Sequence, residues 1–171
     1  MMADANANQY PLVSDIAYEL VQEISPRELP LFQITSKAYF EKPEKVFEEF
    51  IHHGGMLNFG LDSVTIFLTP AVLAVTNKVI TFLWNKVKEA IQEESEEIIN
   101  KFVKDMFKSI PYKKKQGKER QDEKTSLKLS REELVQLHQI MLETAKQLRL
   151  PQHETELLVN AMVGRLVTTN T

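Results

Sequence analysis

No cysteine occurs anywhere in this chain. That removes disulfides, thiolate metal sites and thiol catalysis together, and it fits a reducing cytoplasm. Glycine is scarce, 5 in 171 residues, so few tight turns at positive φ can form and β-sandwiches and barrels are disfavoured. The opening MMADANANQYP has neither a basic n-region nor an apolar h-region, so no cleaved signal peptide is expected. A formal net charge of −3 gives no global attraction for nucleic acid. Catalytic signatures are missing too. There is no Gly-x-Ser-x-Gly elbow, and the glycines at 54, 55 and 60 match neither the P-loop nor the dinucleotide fingerprint. No internal repeat is present.

What is there is helix-forming, with 43% hydrophobic residues to build a core and 26% charged residues to solvate it. Residues 1–10 are small and polar and are expected to be disordered. Ser14 with Asp15 reads as the start of a helix whose apolar face is Leu12, Ile16, Leu20 and Ile24. Pro26 and Pro30 break it. The aromatic stretch from Leu29 to Phe40 then reads as a packed turn with a short helix near Thr35–Phe40. Pro43 suits a first helical position, Val46, Phe47, Phe50 and Ile51 form a stripe, and Gly54-Gly55 ends it. Val64–Phe67 is β-branched and aromatic, the one place where a strand fits.

Thr69-Pro70 opens the next helix, and an apolar stripe runs on through Val72, Val75, Val79, Leu83 and Val87 to Met106. One helix from Pro70 to Phe107 would be ~57 Å long, more than a small domain accommodates, so a break is expected near Glu93–Glu97. Residues 109–126 hold Pro111, Gly117 and many charges and read as a linker. Ser130-Arg131-Glu132-Glu133 is a capping box. It opens a helix with the stripe Leu134, Leu137, Met141, Ala145 and Leu148. After Leu150-Pro151 a second stripe follows at Leu157, Leu158, Ala161, Met162 and Leu166, which makes an αα-hairpin over 127–171.

Three polar groupings bear on chemistry. Glu49 and His52 stand in the Glu-x-x-His spacing of di-iron bundles, but such sites need a second pair, and His138 and His153 have no neighbouring partner. No metal site or cofactor is assigned. The carboxylate clusters Glu48-Glu49, Glu93–Glu97 and Glu132-Glu133 fall where solvated helix faces and caps are expected, so no catalytic residue is assigned. Lys108, Lys113, Lys114, Lys115, Lys118 and Arg120 form a basic cluster with Glu119 as its only acid, able to meet an anionic surface or to serve as a solvated linker.

The stretch 61–84 is the most apolar part of the chain. As a bilayer span it carries Pro70, Asn77 and Lys78, and a central Lys costs ~3 kcal/mol on insertion. Its stripe also continues past Trp84, as a bundle helix would. The sequence therefore predicts an all-α fold: a helical bundle over 11–108 with a long apolar central helix, a charged linker, and the C-terminal hairpin. In architecture alone this order looks like the HeLo-type membrane-permeabilising bundles, and no motif carries a family.

Two functions follow. The first is a non-catalytic interaction or regulatory module in the cytoplasm, binding another protein or itself through Leu134, Leu137, Met141, Leu148, Leu158 and Met162, or through the aromatic 29–40 segment. The second is a membrane-active or peripherally attached bundle that inserts through 61–84, with Val64, Phe67, Leu73, Phe82 and Trp84 as contacts and the basic flank on headgroups. An enzyme of unrecognised class is the remote third. Nucleic acid is not an expected partner.

Overall fold

The computed structural model describes residues 7–52, 56–57, 65–92, 95–107 and 128–167. Among them the architecture is all-α, with seven helices and one minimal strand pair. Helix α1 (Tyr10–Ile24) begins four residues before Ser14, because Pro11 takes an early position where its missing N–H costs nothing. Ser14 therefore lies within the helix, its hydroxyl 3.3 Å from that of Ser36. Leu12, Ile16 and Leu20 are buried as their spacing implies, joined by Val13, Ala17 and Val21.

The aromatic segment is more regular than its composition suggests. A 3-10 turn, Pro26–Glu28, leads into α2 (Leu29–Glu41), with Pro30 again near the start. Phe32, Ser36 and Tyr39 recur at helical spacing and face the core, so packing of one face carries the helix from end to end. Tyr10 stacks on Phe40, and Tyr39 meets Phe47 edge-on. Helix α3 (Pro43–His52) starts at Pro43 as expected and buries Phe50. Strands β1 (Met56–Leu57) and β2 (Thr65–Ile66) pair antiparallel, so the short β-branched stretch does form a strand. The glycines at 54 and 55 lie outside the described residues.

Helix α4 (Thr69–Ile91) is the hub, packing against α1, α2, α3, α5 and α6. Contrary to the expectation from sequence, α4 is not a long apolar helix. Residues 65–68 are strand and coil, only Thr69–Thr76 is buried all round, and from Asn77 onward the helix is amphipathic, with Lys78 exposed and Val79, Ile80, Leu83 and Val87 inward. Among the described residues no helix is long and apolar enough to cross a membrane. The break after α4 falls as anticipated: Gln92 turns left-handed at φ 50°, and α5 (Glu96–Met106) follows, burying Ile99, Val103 and Met106.

The segment read as linker, 109–126, lies outside the described residues, as do residues 1–6. Helices α6 (Arg131–Gln147) and α7 (Gln152–Val167) form the hairpin. Ser130 closes its capping box: its hydroxyl accepts from the Glu133 N–H at 3.1 Å, while the Glu133 carboxylate accepts from the Ser130 N–H at 2.9 Å. Arg149, left-handed at φ 55°, turns the chain, and the Leu150 N–H reaches the Ala145 carbonyl at 3.0 Å. The hairpin docks on its own bundle, α6 against α4 and α7 against α1.

Candidate interaction surface

Two buried charged groups lock this arrangement. Glu28, at the end of the 3-10 turn, is 7% exposed and sits at the N-terminus of α4. Its Oε1 accepts from the Leu68 N–H and the Ser25 hydroxyl, each at 2.8 Å. Its Oε2 accepts from the Thr69 N–H at 2.8 Å and the Thr69 hydroxyl at 2.5 Å. A carboxylate placed at a positive helix end and met by four donors is a cap supplied from a distant part of the chain. With its acceptor sites occupied it has a structural role.

Arg165 of α7 is 8% exposed and clamps α1. Its guanidinium donates to Glu19 at 2.9 Å and to Glu23 at 2.8 Å, two carboxylates one helical turn apart on α1. Arg suits this because its planar fork spans two acceptors. A third polar contact lies in the core between α2 and α4, where the Asn77 amide donates to the Tyr39 hydroxyl at 3.2 Å. Burial pushes the Tyr39 phenol above its ordinary pKa, the Asn77 bond opposes that rise, and nearby Tyr10 adds to it.

None of these makes a reactive constellation. Glu49 and His52 share α3, His138 is on α6 and His153 on α7, and all four are exposed. Among the described residues no group of three or more His, Asp or Glu is placed to hold a metal ion. The basic cluster, Lys108 to Arg120, lies outside the described residues, as does Val64. Of the other expected membrane contacts, Leu73 is fully enclosed in the core, while Phe67, Phe82 and Trp84 are half-buried. The Trp84 indole N–H donates to the Asn100 side chain of α5 at 3.1 Å, so its polar edge is used within the fold.

The hairpin residues expected to meet a partner divide clearly. Leu137, Met141, Leu158 and Met162 are fully buried against the bundle, Leu148 nearly so, and Leu134 is half-buried. Their apolar surface is consumed in cis. On the aromatic 29–40 segment, Phe32 and Tyr39 are likewise inward, while Ile34 stands out at 71% exposed with Leu31 beside it.

What remains outward on the hairpin is a second face of α6. Arg131, Val135, His138, Leu142 and Lys146 are spaced by steps of three and four, so they share one side of the helix, and all five are exposed. Val135 is 61% and Leu142 41% exposed. Beside them a groove of about 310 Å³ runs between the start of α6 and the end of α7. Its floor is Leu137, Met141 and Leu166, and its rim includes Arg131, Val135, His138 and Val163. The signal for this face was in the sequence: Val135 and Leu142 are apolar at a seven-residue interval, off the stripe that forms the core. No protein-family model, no curated protein and no solved structure matches this chain, so its function is read from this surface alone.

Proposed function

We propose that this chain is a non-catalytic helical interaction module of the cytoplasm that engages another protein through the outer face of α6 and the adjoining groove. One observation carries the reading. The inner stripe of α6 is used up against α4, yet the helix keeps a second apolar face beside a concavity. Paired aliphatic residues next to a groove are the ordinary means by which a helix is received at a protein surface. What sets Val135 apart from a singly exposed aliphatic is its place beside Leu142 on one face and on the rim of the groove. The cysteine-free composition agrees with a reducing compartment.

Site-specific photo-crosslinking in the native source tests this. A photoreactive residue is placed at Val135, at Leu142, and at exposed Gln136 on another side of the same helix. Discrete protein adducts at Val135 and Leu142, but not at Gln136, are the expected result. No adduct at the first two positions, or equal labelling at all three, contradicts the module.

A further inference from the structure

Resting on that reading, we propose that the partner presented to α6 is an acidic amphipathic helix, with carboxylates flanking an apolar centre. The stripe reads cation, apolar, His, apolar, cation: Arg131, Val135, His138, Leu142, Lys146. From end to end it covers fifteen residue steps, ~22 Å at 1.5 Å per residue, which a partner helix of about four turns matches. No carboxylate stands on the stripe or lines the groove. Neither Arg131 nor Lys146 has an ion-pair partner among the described residues.

Arg131 is placed against its own helix. At the first position of α6 its positive charge opposes the macrodipole, a cost of ~0.3–1 kcal/mol where Asp or Glu would stabilise. Glu132 and Glu133 follow in the same turn on other sides of the helix, so the Arg131 charge on the stripe is available to an anion arriving from outside.

Self-association is disfavoured by the same arithmetic. In an antiparallel pair of α6 helices that seats Val135 on Leu142 of a second copy, Arg131 of each copy meets Lys146 of the other. Parallel pairing sets each cation against itself. Either register opposes like charges at both ends of the contact. A lipid surface is the poorer fit as well, since the stripe offers two aliphatic residues and no aromatic, and the groove is concave.

The test is selection of a displayed random library of eighteen-residue peptides on the full chain, read against variants. The expected binders carry apolar residues at helical spacing with Asp or Glu on both flanks. Val135→Glu or Leu142→Glu lowers their affinity at least tenfold. The double reversal Arg131→Glu with Lys146→Glu weakens them about tenfold and turns selection toward Lys- and Arg-flanked peptides, at ~1.4 kcal/mol per factor of ten. All four positions are exposed, and Arg131→Glu favours the helix, so lost binding is separable from lost folding; melting curves check this. Binders that need Val135 and Leu142 but lack acidic flanks overturn the acidic partner and leave the interaction module standing. No binders, or binders indifferent to Val135 and Leu142, overturn both. A concentration-dependent dimer abolished by Val135→Glu, or sedimentation with anionic vesicles abolished by Arg131→Glu, overturns the proposal in favour of a second copy or a membrane.

Discussion

Replacing Glu28 by Gln keeps the shape of the side chain and removes what α4 requires of it. Four donors converge on the carboxylate, two on each oxygen, and each oxygen holds one backbone N–H from the start of α4. An amide has one acceptor oxygen. If that oxygen stays with Leu68 and Ser25, the amide nitrogen faces the Thr69 N–H, donor against donor, while the Thr69 hydroxyl can turn to accept from it. Flipping the amide moves the conflict to Leu68. Either way a buried backbone N–H loses its partner. A buried unsatisfied donor costs about 1–3 kcal/mol, and a hydrogen bond to a charged group contributes about 1.5–3. Loss of the anion at the helix end adds up to ~2 more, and the terms overlap. The net expectation is about 3 kcal/mol, or ~6–12 °C in Tm for a chain of this length. Thr69→Val, which deletes only the hydroxyl donor, serves as the mild control at ~1 kcal/mol. Thermal and urea unfolding followed by circular dichroism provide the values, and amide exchange at Leu68 and Thr69 localises the effect. A Glu28→Gln protein that melts within ~2 °C of wild type refutes the trans-cap account.

Arg165→Met keeps most of the packing volume but strands Glu19 and Glu23 without a shared cation; because both carboxylates are more than a third exposed, the loss is limited to about 1–2 kcal/mol, and melts at low and high salt should show reduced salt sensitivity. Tyr39 has a folded-state pKa raised above 10.0, so its contribution to stability is fully present below pH 10.0 and is lost as pH rises through the folded value. Tyr39→Phe should flatten the fall in Tm above pH 10.0, and phenolate absorbance of the wild type should show one tyrosine titrating late. Gly164 sits exposed within α7, where an added Cβ meets nothing within 4 Å; Gly164→Ala should therefore raise stability by about 0.5–1 kcal/mol, seen as a Tm gain of ~1–4 °C.

Local chemistry made much of this fold legible. The capping box at Ser130, Pro43 at the start of α3, the stripe on α1 and the break before Glu96 all arise from interactions within one or two helical turns. The errors share a different cause. Ser14 reads as a cap until Pro11 is seen to open the helix earlier. The 29–40 segment reads as a packed turn with a short helix until Phe32, Ser36 and Tyr39 are supplied with a core to face. Nothing in the sequence around Glu28 marks its role, because the backbone donors it caps, Leu68 and Thr69, lie 40 and 41 residues away. Likewise Arg165 meets Glu19 across an interval of 146 residues. Long-range polar satisfaction leaves no periodic trace. The outer face of α6 is hidden for the opposite reason: the dominant stripe of that helix is Leu137, Met141 and Ala145, and Val135 and Leu142 stand off it.

Adjacent residues on α6 allow the most direct test of a helix with two occupied faces. Met141 is fully buried against the bundle, and Leu142, the next residue, points outward. Met141→Asp buries an unpaired carboxylate and should lower stability by about 3–5 kcal/mol, whatever becomes of binding. Leu142→Asp should leave Tm within ~2 °C of wild type while removing the photo-crosslinked adduct at Val135. If Leu142→Asp unfolds the protein as severely as Met141→Asp, or leaves the adduct intact, the outer face of α6 is not the docking surface.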